Sequence, residues 1–321
     1  MKPWEGKHIW IWELGQSGSP ADVVACAVSL GLTGLLVKGW DGSSYWSQIE
    51  AIVGPAHDAG LVIGAWGYSY GINPVGEAAA AKKCLDAGVD WLIIDAEVQY
   101  EQNPDRASAI LEVFKAFGVP LGYTSFGIPS YHGKFPWQAF NDACDVVLPQ
   151  VYWGDFGMAE KALSLSLNDC TKLGKPIMPV GQIYGKVSTD DIVRFAELCE
   201  NAGLPGISYW DWQEATADMM NAVGASGYER KVDVVSDWAK ASWDKATAKG
   251  ILDGSNPQGT VTREMLAVVL DRGGLLDAAE VSQSVVDALK TAGIISSDHQ
   301  ASWRPTWGEL ASVINKLVGK K

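Results

Sequence analysis

The sequence predicts a (β/α)8 barrel of the TIM type over residues 1–225, followed by a small all-α domain of two helical repeats. The main observation is a recurring unit in which a helix-like segment ends at a glycine and an apolar strand-like run follows, as in "AGLVIGAWGY" and "AGVDWLIIDAE". The glycines are spaced by 29, 28, 30, 56 and 29 residues and lie at Gly31, Gly60, Gly88, Gly118, Gly174 and Gly203. A glycine that closes a helix just before a wholly apolar strand is typical of parallel sheets covered by helices.

Eight strands can be assigned in chain order from this rhythm. The first lies in "HIWIWELG", and the next four follow the first four glycines. The interval of 56 residues holds two units, and the sixth strand lies within it, in "ACDVVLPQVYWGD". "LGKPIMPVGQIY" and "AGLPGISYWDW" supply the seventh and eighth strands. Eight units of such even length favour a closed barrel, with an open doubly wound sheet as the structural alternative.

The rhythm stops in "AVGASGYERK", which predicts a linker over residues 226–231. Residues 232–321 then read as short amphipathic helices in two weak copies. Gly250 corresponds to Gly293 and Glu264 to Glu309, which are offsets of 43 and 45 residues. This pattern predicts a small helical module with its own core.

Composition excludes several classes of function. A net charge of -13 argues against nucleic-acid binding, which needs clustered Lys and Arg. No apolar run reaches membrane-spanning length, so we expect no membrane partner. The five cysteines lack metal or redox spacing, the four histidines lack an HExxH pattern, and no GxSxG or P-loop motif is present. We therefore expect no metal and no cofactor.

Two carboxylates lie at the tip of the predicted fourth strand, in "DWLIIDAEVQY". Asp95 and Glu97 are two residues apart on a strand, so both project to the same side, roughly 6–7 Å apart at their Cα atoms. At that distance one ionised acid raises the pKa of the other. We assign Glu97 as a general acid that protonates a glycosidic oxygen and Asp95 as its partner. Glu13 and Asp211, at the ends of the first and eighth strands, are candidates for a third carboxylate, and the sequence does not choose between them.

Aromatic and amide side chains accompany the acids at nearly every strand end, where barrels of this type carry their functional groups. Sugar rings stack on aromatic faces while their hydroxyls bond to polar side chains. One such aromatic taken alone is more often a core residue, but the set favours a glycan-binding site. Its predicted members are Trp12, Trp40, Trp66, Tyr68, Tyr123, Gln150, Tyr152, Gln182, Tyr209 and Gln213.

Four segments of the barrel resemble the glycoside hydrolase family 25 lysozymes, which include many phage endolysins. They are "AGLVIGAWGY", "LIIDAEVQ", "PLGYTSFG" and "LPQVYWGD". The resemblance implies that the glutamate of the D-x-E motif, here Glu97, is the general acid. The chain departs from the family pattern at two places, where "WIWELGQSG" offers Glu13 and "SYWDWQ" offers Asp211.

The C-terminal region resembles S-layer-homology repeats. The segments "DWAKASWDKATAKGILDG" and "TVTREMLAVVLDR" are similar to that pattern, whereas the second copy has WGE at 307–309 in place of TRE at 262–264. The resemblance implies attachment to a secondary cell-wall polymer. The alternative is a helical module that joins two copies of the chain into a homo-oligomer.

These features predict a peptidoglycan hydrolase of the lysozyme or endolysin type, tethered to the bacterial cell wall by its C-terminal module. The alternatives are an inactive carbohydrate-binding or virion structural barrel, and a glycosidase that acts on a non-wall polysaccharide. The segment "MKPWEGKHIW" lacks the apolar run of a signal peptide. We therefore expect synthesis in the cytoplasm and action at the cell wall after release.

Overall fold

The computed structural model describes residues 2–228 and 237–252 of the chain. The chain divides into two compact units, Met1–Arg230 and Lys231–Lys321. Most of the predicted helical repeats, from residue 253 onward, lie outside the described residues. None of the described helices combines the length and the apolar composition that a membrane crossing needs.

The first unit is a closed barrel of eight parallel strands. Its strands pair in chain order, and β1 pairs with both β2 and β9, which closes the sheet. The strands are β1 Gly6–Ile11, β2 Gly34–Asp41, β3 Ser44–Tyr45, β4 Val62–Ser69, β5 Trp91–Ala96, β6 Leu121–Phe126, β7 Val146–Gln150, β8 Val180–Gln182 and β9 Gly206–Trp210. The two-residue β3 pairs antiparallel with the end of β2 and is not part of the barrel wall. The predicted barrel is confirmed, and the open-sheet alternative is wrong.

Helices connect the strands as the glycine rhythm predicted. They are α1 Leu14–Ser17, α2 Pro20–Ser29, α3 Gln48–Asp58, α4 Pro74–Asp86, α5 Pro104–Lys115, α6 Trp137–Ala143, α7 Ala159–Cys170, α8 Thr189–Asn201 and α9 Ala217–Ala225 in the first unit, and α10 Asp237–Ala248 in the second. All six repeat glycines have positive φ, between 64° and 102°, a conformation that other residues adopt only with strain. Their spacing therefore marks real helix ends.

The barrel separates two apolar cores. One lies between the strands and the surrounding helices. The other fills the barrel interior from the first and middle positions of the strands, with Trp4, Trp10, Leu36, Trp66, Trp91, Ile93, Val146, Leu148, Met178 and Val180. Burying such a side chain contributes about 1.5–3 kcal/mol. Because the interior is packed from this end, the open space lies at the C-terminal ends of the strands.

A β-bulge at Gly39 reverses the facing of the residues at the end of β2. Lys38 pairs with Trp66, but the next paired residue is Trp40, which lies beside Gly67. The extra residue changes the alternation of side chains along the strand. Lys38, before the bulge, faces the barrel interior, and the bulge makes Asp41 face the same way while Trp40 faces the helices.

The last residues of the barrel unit extend into the segment for which we predicted a linker. Ser226 and Tyr228 are buried, and the Tyr228 hydroxyl donates a hydrogen bond to the Leu204 carbonyl. Buried Lys7 donates from Nζ to the carbonyl oxygens of Val223, at 2.7 Å, and Ser226, at 2.9 Å. A cation at the C-terminal end of α9 satisfies carbonyl groups that the helix leaves unpaired.

Candidate active site

Residues from five strands surround a pocket at the C-terminal end of the barrel. The pocket has a volume of about 180 Å³ and is lined by Trp10, Asp95, Glu97, Thr124, Gln150, Tyr152 and Trp210. Asp95 and Glu97 are its acidic groups, and the other lining side chains are aromatic or uncharged. The strand-end pattern predicted that acids and aromatic side chains would meet at the barrel mouth. The predicted residues that line the pocket are Asp95, Glu97, Gln150 and Tyr152.

Trp10 and Trp210 line the pocket, and Trp66 packs against both of them. The ring centroids of Trp10, Trp66 and Trp210 lie 5.2–5.8 Å from one another in edge-to-face contacts. Trp10 Nε1 donates to Ser208 Oγ at 2.9 Å, and Trp66 Nε1 donates to the Ile11 carbonyl at 3.2 Å. Since the Trp10 N–H group is already bonded within the protein, its ring offers the pocket mainly apolar surface, and buried Trp66 supports that ring.

The two acids enter the pocket because side chains alternate along β5. Ile93 lies in the barrel-interior core, so Asp95, two residues later, faces the same side. Glu97 follows the last residue of β5 and begins a short helical turn over Val98–Tyr100. Gln150 Nε2 donates a 2.9 Å hydrogen bond to Glu97 Oε1 and so orients that carboxyl group across the pocket.

Asp95 is the more deeply buried of the two acids. Its side chain is 7% exposed, and its Oδ1 is buried without a hydrogen-bond partner among the described residues. Burial, and then the nearby charge of Glu97, raise the pKa of Asp95 well above its ordinary value, while Lys38 opposes this effect. The protonated form of Asp95 is therefore favoured, beside a second carboxyl group that lines the same pocket.

Two phenols lie near the acids. Tyr68 donates to Gln99 Oε1 at 2.9 Å, and burial raises its pKa to about 12, with Glu97 and Asp95 adding to the rise. Burial and then Asp95 raise the pKa of Tyr152 well above its ordinary value. Both phenols therefore keep their protons at neutral pH, and Tyr152, which lines the pocket, can donate a hydrogen bond to a ligand.

Trp12, Gln182 and Gln213 hold the rim of the barrel mouth rather than line the pocket. Trp12 is 41% exposed, and its backbone N–H donates to Gln213 Oε1 at 3.0 Å. Gln182 Oε1 accepts a 2.8 Å hydrogen bond from the Gly154 N–H and so fixes the loop after β7. Of these three predicted binding residues, Trp12 presents a ring to solvent beside Trp210, with a centroid distance of 6.4 Å.

Three predicted binding residues are core residues instead. Trp40, Tyr123 and Tyr209 are fully buried in the outer core. Tyr123 and Tyr209 stand next to inward-facing Thr124 and Trp210 along their strands, so the alternation turns them outward. Trp40 is turned outward by the bulge at Gly39. Their assignment to glycan binding is therefore corrected.

The two candidates for a third carboxylate lie outside the pocket lining. Glu13 is partly exposed at the start of α1 and accepts a hydrogen bond from Gln16. Asp211 is 1% exposed, and its Oδ1 accepts a 3.4 Å hydrogen bond from the Glu214 N–H. The described structure thus brings Asp95 and Glu97 together and leaves both other candidates behind the wall or at the rim.

The sequence analysis missed several residues that the structure brings to the site. Trp10, Thr124 and Trp210 line the pocket, and Lys38 faces the barrel interior from β2. Trp10 lies two residues before Trp12, and Trp210 lies directly after Tyr209. Because side chains alternate along a strand, one residue known to face the barrel interior on each strand would have identified these two tryptophans. No sequence signal indicated that Lys38 is buried.

Burial of Asp211 predicts a dependence of stability on pH. Burial raises its pKa from 3.8 to about 6. The folded state therefore binds more protons than the unfolded state between about pH 4 and pH 6, and stability falls as pH rises through that window. We expect Asp211→Asn to increase the free energy of unfolding at pH 8 by up to about 3 kcal/mol, with little gain at pH 4. Urea unfolding at both pH values measures this, and an equal effect at both would contradict it.

Metal and thiol chemistry have no assembled site among residues 2–228 and 237–252. That part of the chain contains no group of three or more His, Cys, Asp or Glu side chains that could hold a metal ion. All five cysteines are free thiols, and burial raises the pKa of Cys170 to about 11, which keeps that thiol protonated.

Comparisons with known proteins identify the type of barrel. No protein-family model matches the chain, and no curated protein matches its sequence. Among solved structures, a chitinase from Chromobacterium violaceum is similar with a TM-score of 0.55 and 10% identity, over 70% of this chain and 100% of that one. A family GH18 chitinase from Cycas revoluta is similar with a TM-score of 0.53 and 9% identity, over 69% of this chain and 99% of that one.

A third solved structure is a spore cortex-lytic enzyme from Bacillus megaterium. It is similar with a TM-score of 0.51 and 9% identity, over 71% of this chain and 75% of that one. The predicted resemblance to family 25 lysozymes and to S-layer-homology repeats receives no support from these comparisons. At 9–10% identity the likeness establishes the fold alone. The chain carries a (β/α)8 barrel of the type found in chitinases and related glycoside hydrolases.

Proposed function

We propose that the barrel hydrolyses glycosidic bonds in a polysaccharide of 2-acetamido sugars, with peptidoglycan as the first candidate and Glu97 as the general acid. The observation that carries the proposal is the joint projection of Asp95 and Glu97 into one pocket with tryptophan walls. A carboxyl group in this position can protonate a glycosidic oxygen, and the aromatic surface matches the C–H face of a sugar ring.

The position of the acids favours a nucleophile that belongs to the substrate. Glycosidases that use a carboxylate nucleophile or a carboxylate-activated water need a second acid across the scissile bond, about 5–9.5 Å from the first. Asp95 comes from the same strand as Glu97, and neither Glu13 nor Asp211 lines the pocket. The acetamido oxygen of the sugar can take the place of the missing carboxylate, as substrate-assisted glycosidases illustrate.

The proposed reaction proceeds in two steps. The acetamido carbonyl oxygen attacks C1 while Glu97 protonates the leaving oxygen, so the C1–O bond breaks and a cyclic oxazolinium forms. Asp95 accepts a hydrogen bond from the acetamido N–H and stabilises the positive charge, while Tyr152 donates to the ring substituents. Glu97, now ionised, then removes a proton from water, which adds to C1 and reopens the ring. The product keeps the anomeric configuration of the substrate.

The class of substrate follows from this role for the acetamido group. Chitin and peptidoglycan both carry 2-acetamido sugars in β-linkage, and the similar solved structures include chitinases and a spore cortex-lytic enzyme. The strand-end pattern favours a glycan in general, and the resemblance of the C-terminal repeats to wall-attachment modules favours peptidoglycan. Attachment of residues 232–321 to the cell wall stays a prediction, since nearly all of that segment lies outside the described residues.

Product analysis tests the proposal. Purified peptidoglycan and chitin oligomers are incubated with the full chain, and released fragments are analysed by mass spectrometry and by NMR of the fresh anomeric centre. We expect reducing ends from peptidoglycan with retained β-configuration. A reducing N-acetylmuramic acid would identify a muramidase, and a reducing N-acetylglucosamine a glucosaminidase. Inverted products would contradict the acetamido mechanism. Wall binding without any released fragment would favour the carbohydrate-binding alternative.

A further inference from the structure

A lysine is buried inside the barrel mouth, in a cage of tryptophans. Lys38 is 4% exposed, and its Nζ lies 4.7 Å from the ring centroid of Trp46, 5.1 Å from that of Trp66 and 5.3 Å from that of Trp12. Aromatic faces attract a cation, more strongly where water is excluded. Burying an ammonium group is nevertheless expensive, so its position calls for an explanation.

The bulge in β2 places an acid beside the caged lysine. Gly39 is the extra residue, and it allows Lys38 and Asp41 to face the same side of the sheet. Lys38 Nζ donates to Asp41 Oδ2 at 2.7 Å, and the Tyr70 hydroxyl donates to Asp41 Oδ1 at 3.1 Å. Both partners are therefore held in fixed positions.

The caged ion pair is next to the catalytic pair. In the register of the sheet, Asp41 lies beside Tyr68, and Tyr68 lies beside Asp95, so the two aspartates occupy one row of the barrel. Trp66, one wall of the cage, contacts two tryptophans of the pocket. Lys38 acts on Asp95 as an opposite charge, and Asp41 acts on it as a like charge.

Ionisable groups face the two acids from several strands. Glu97 and Asp95 come from the end of β5, Tyr68 from β4, Lys38 and Asp41 from β2, and Tyr152 from the segment after β7. The phenols keep their protons at neutral pH, and Asp211, directly after β9, acts on Tyr152 rather than on Asp95. Lys38 is thus the cation in this set.

We propose that Lys38 is a positioning residue of the active site, whose caged ammonium group favours negative charge on Asp95. A general acid must carry its proton when the glycosidic bond breaks, and an ionised Asp95 is the form that stabilises the oxazolinium. Asp41 holds Lys38 in place and, as a like charge, partly cancels the effect of Lys38 on the charge of Asp95. The inference rests on the proposed function for its catalytic meaning, but the electrostatic coupling can be measured without a substrate.

Carboxyl NMR tests the coupling directly. The full chain is labelled with 13C at aspartate carboxyl carbons, the Asp95 resonance is assigned with Asp95→Asn, and its titration is followed in wild type and three variants. Lys38→Met keeps an unbranched stem in the cage without the charge, Asp41→Asn removes the opposing charge, and Lys38→Arg keeps the cation. We expect the Asp95 midpoint to rise by at least about half a pH unit in Lys38→Met and to fall in Asp41→Asn. In Lys38→Arg it stays near the wild-type midpoint.

Kinetics then connect the coupling to catalysis. The pH of maximal kcat moves upward in Lys38→Met and downward in Asp41→Asn, and Lys38→Met loses roughly tenfold in kcat at the wild-type optimum. A loss of packing alone would move both profiles in the same direction or leave them unmoved, and either result overturns the inference. If Lys38→Met does not fold, an Asp95 midpoint that fails to fall in Asp41→Asn overturns it as well. If wild type hydrolyses no glycan, the proposed function fails while the NMR titration still decides the role of Lys38.

Discussion

Glu97→Gln is expected to lower kcat for glycan hydrolysis by roughly a thousandfold, within the range that general acid catalysis contributes. The amide has nearly the shape of the carboxyl group, and its oxygen can still accept the hydrogen bond from Gln150 that Glu97 Oε1 accepts. The fold and substrate binding are therefore preserved while the proton donor is lost. Release of reducing ends from peptidoglycan, measured beside the binding of the same glycan, separates the two effects.

A matched control for this variant is Glu112→Gln. Glu112 is exposed on α5 and does not line the pocket, so the same chemical change is made away from the site. We expect wild-type turnover from it. If Glu97→Gln retains more than about a tenth of the wild-type kcat, Glu97 is not the acid and the proposed mechanism is wrong.

Asp95→Asn is expected to lower kcat by about 10²–10³-fold, the range seen when one preorganised charge-stabilising group is lost. An asparagine can still hydrogen-bond the acetamido group, but it cannot offer the negative charge that stabilises the oxazolinium. KM should change much less than kcat, because the lost interaction is strongest after the acetamido oxygen has attacked. Steady-state kinetics on a soluble glycan fragment give both constants.

The same substitution is expected to stabilise the protein. Because burial raises the pKa of Asp95 above its unfolded value, its contribution to stability is lost as pH rises through the folded-state pKa. Asparagine removes that loss, so the Tm of Asp95→Asn should exceed that of wild type at pH 8 by more than at pH 5. Asp58→Asn, on an exposed residue at the end of α3, is the matched control. A variant with wild-type kcat and unchanged Tm would show that Asp95 is neither strained by burial nor part of the reaction.

The barrel could be predicted because its repeat has a local physical cause. Each of the six glycines adopts positive φ at a helix end, and each is followed by a strand that is mostly apolar. Both features depend on a few adjacent residues, so they can be recognised in the sequence without knowledge of any tertiary contact. The position of Asp95 and Glu97 at the mouth followed from the same rhythm, since the fourth strand ends there.

The inward and outward faces of the strands could not be predicted in the same way. A strand that is buried on both faces shows no alternation of apolar and polar residues, so nothing in the sequence marks which side chains enter the barrel. Tyr123 and Tyr209 were consequently placed in the pocket, although Thr124 and Trp210 occupy it. One known inward residue on each strand would have corrected both.

The sequence by itself determined the eight β/α units, their order and the strand tip that carries the two acids. Only the tertiary structure decided which residues share the pocket with them. The bulge at Gly39 turns Trp40 outward and brings Asp41 to the inward face beside Lys38, and the tryptophans that cage Lys38 come from separate segments of the chain. The physical reason is that chain direction and helix ends depend on neighbouring residues, whereas side-chain facing and local charge depend on contacts between distant ones.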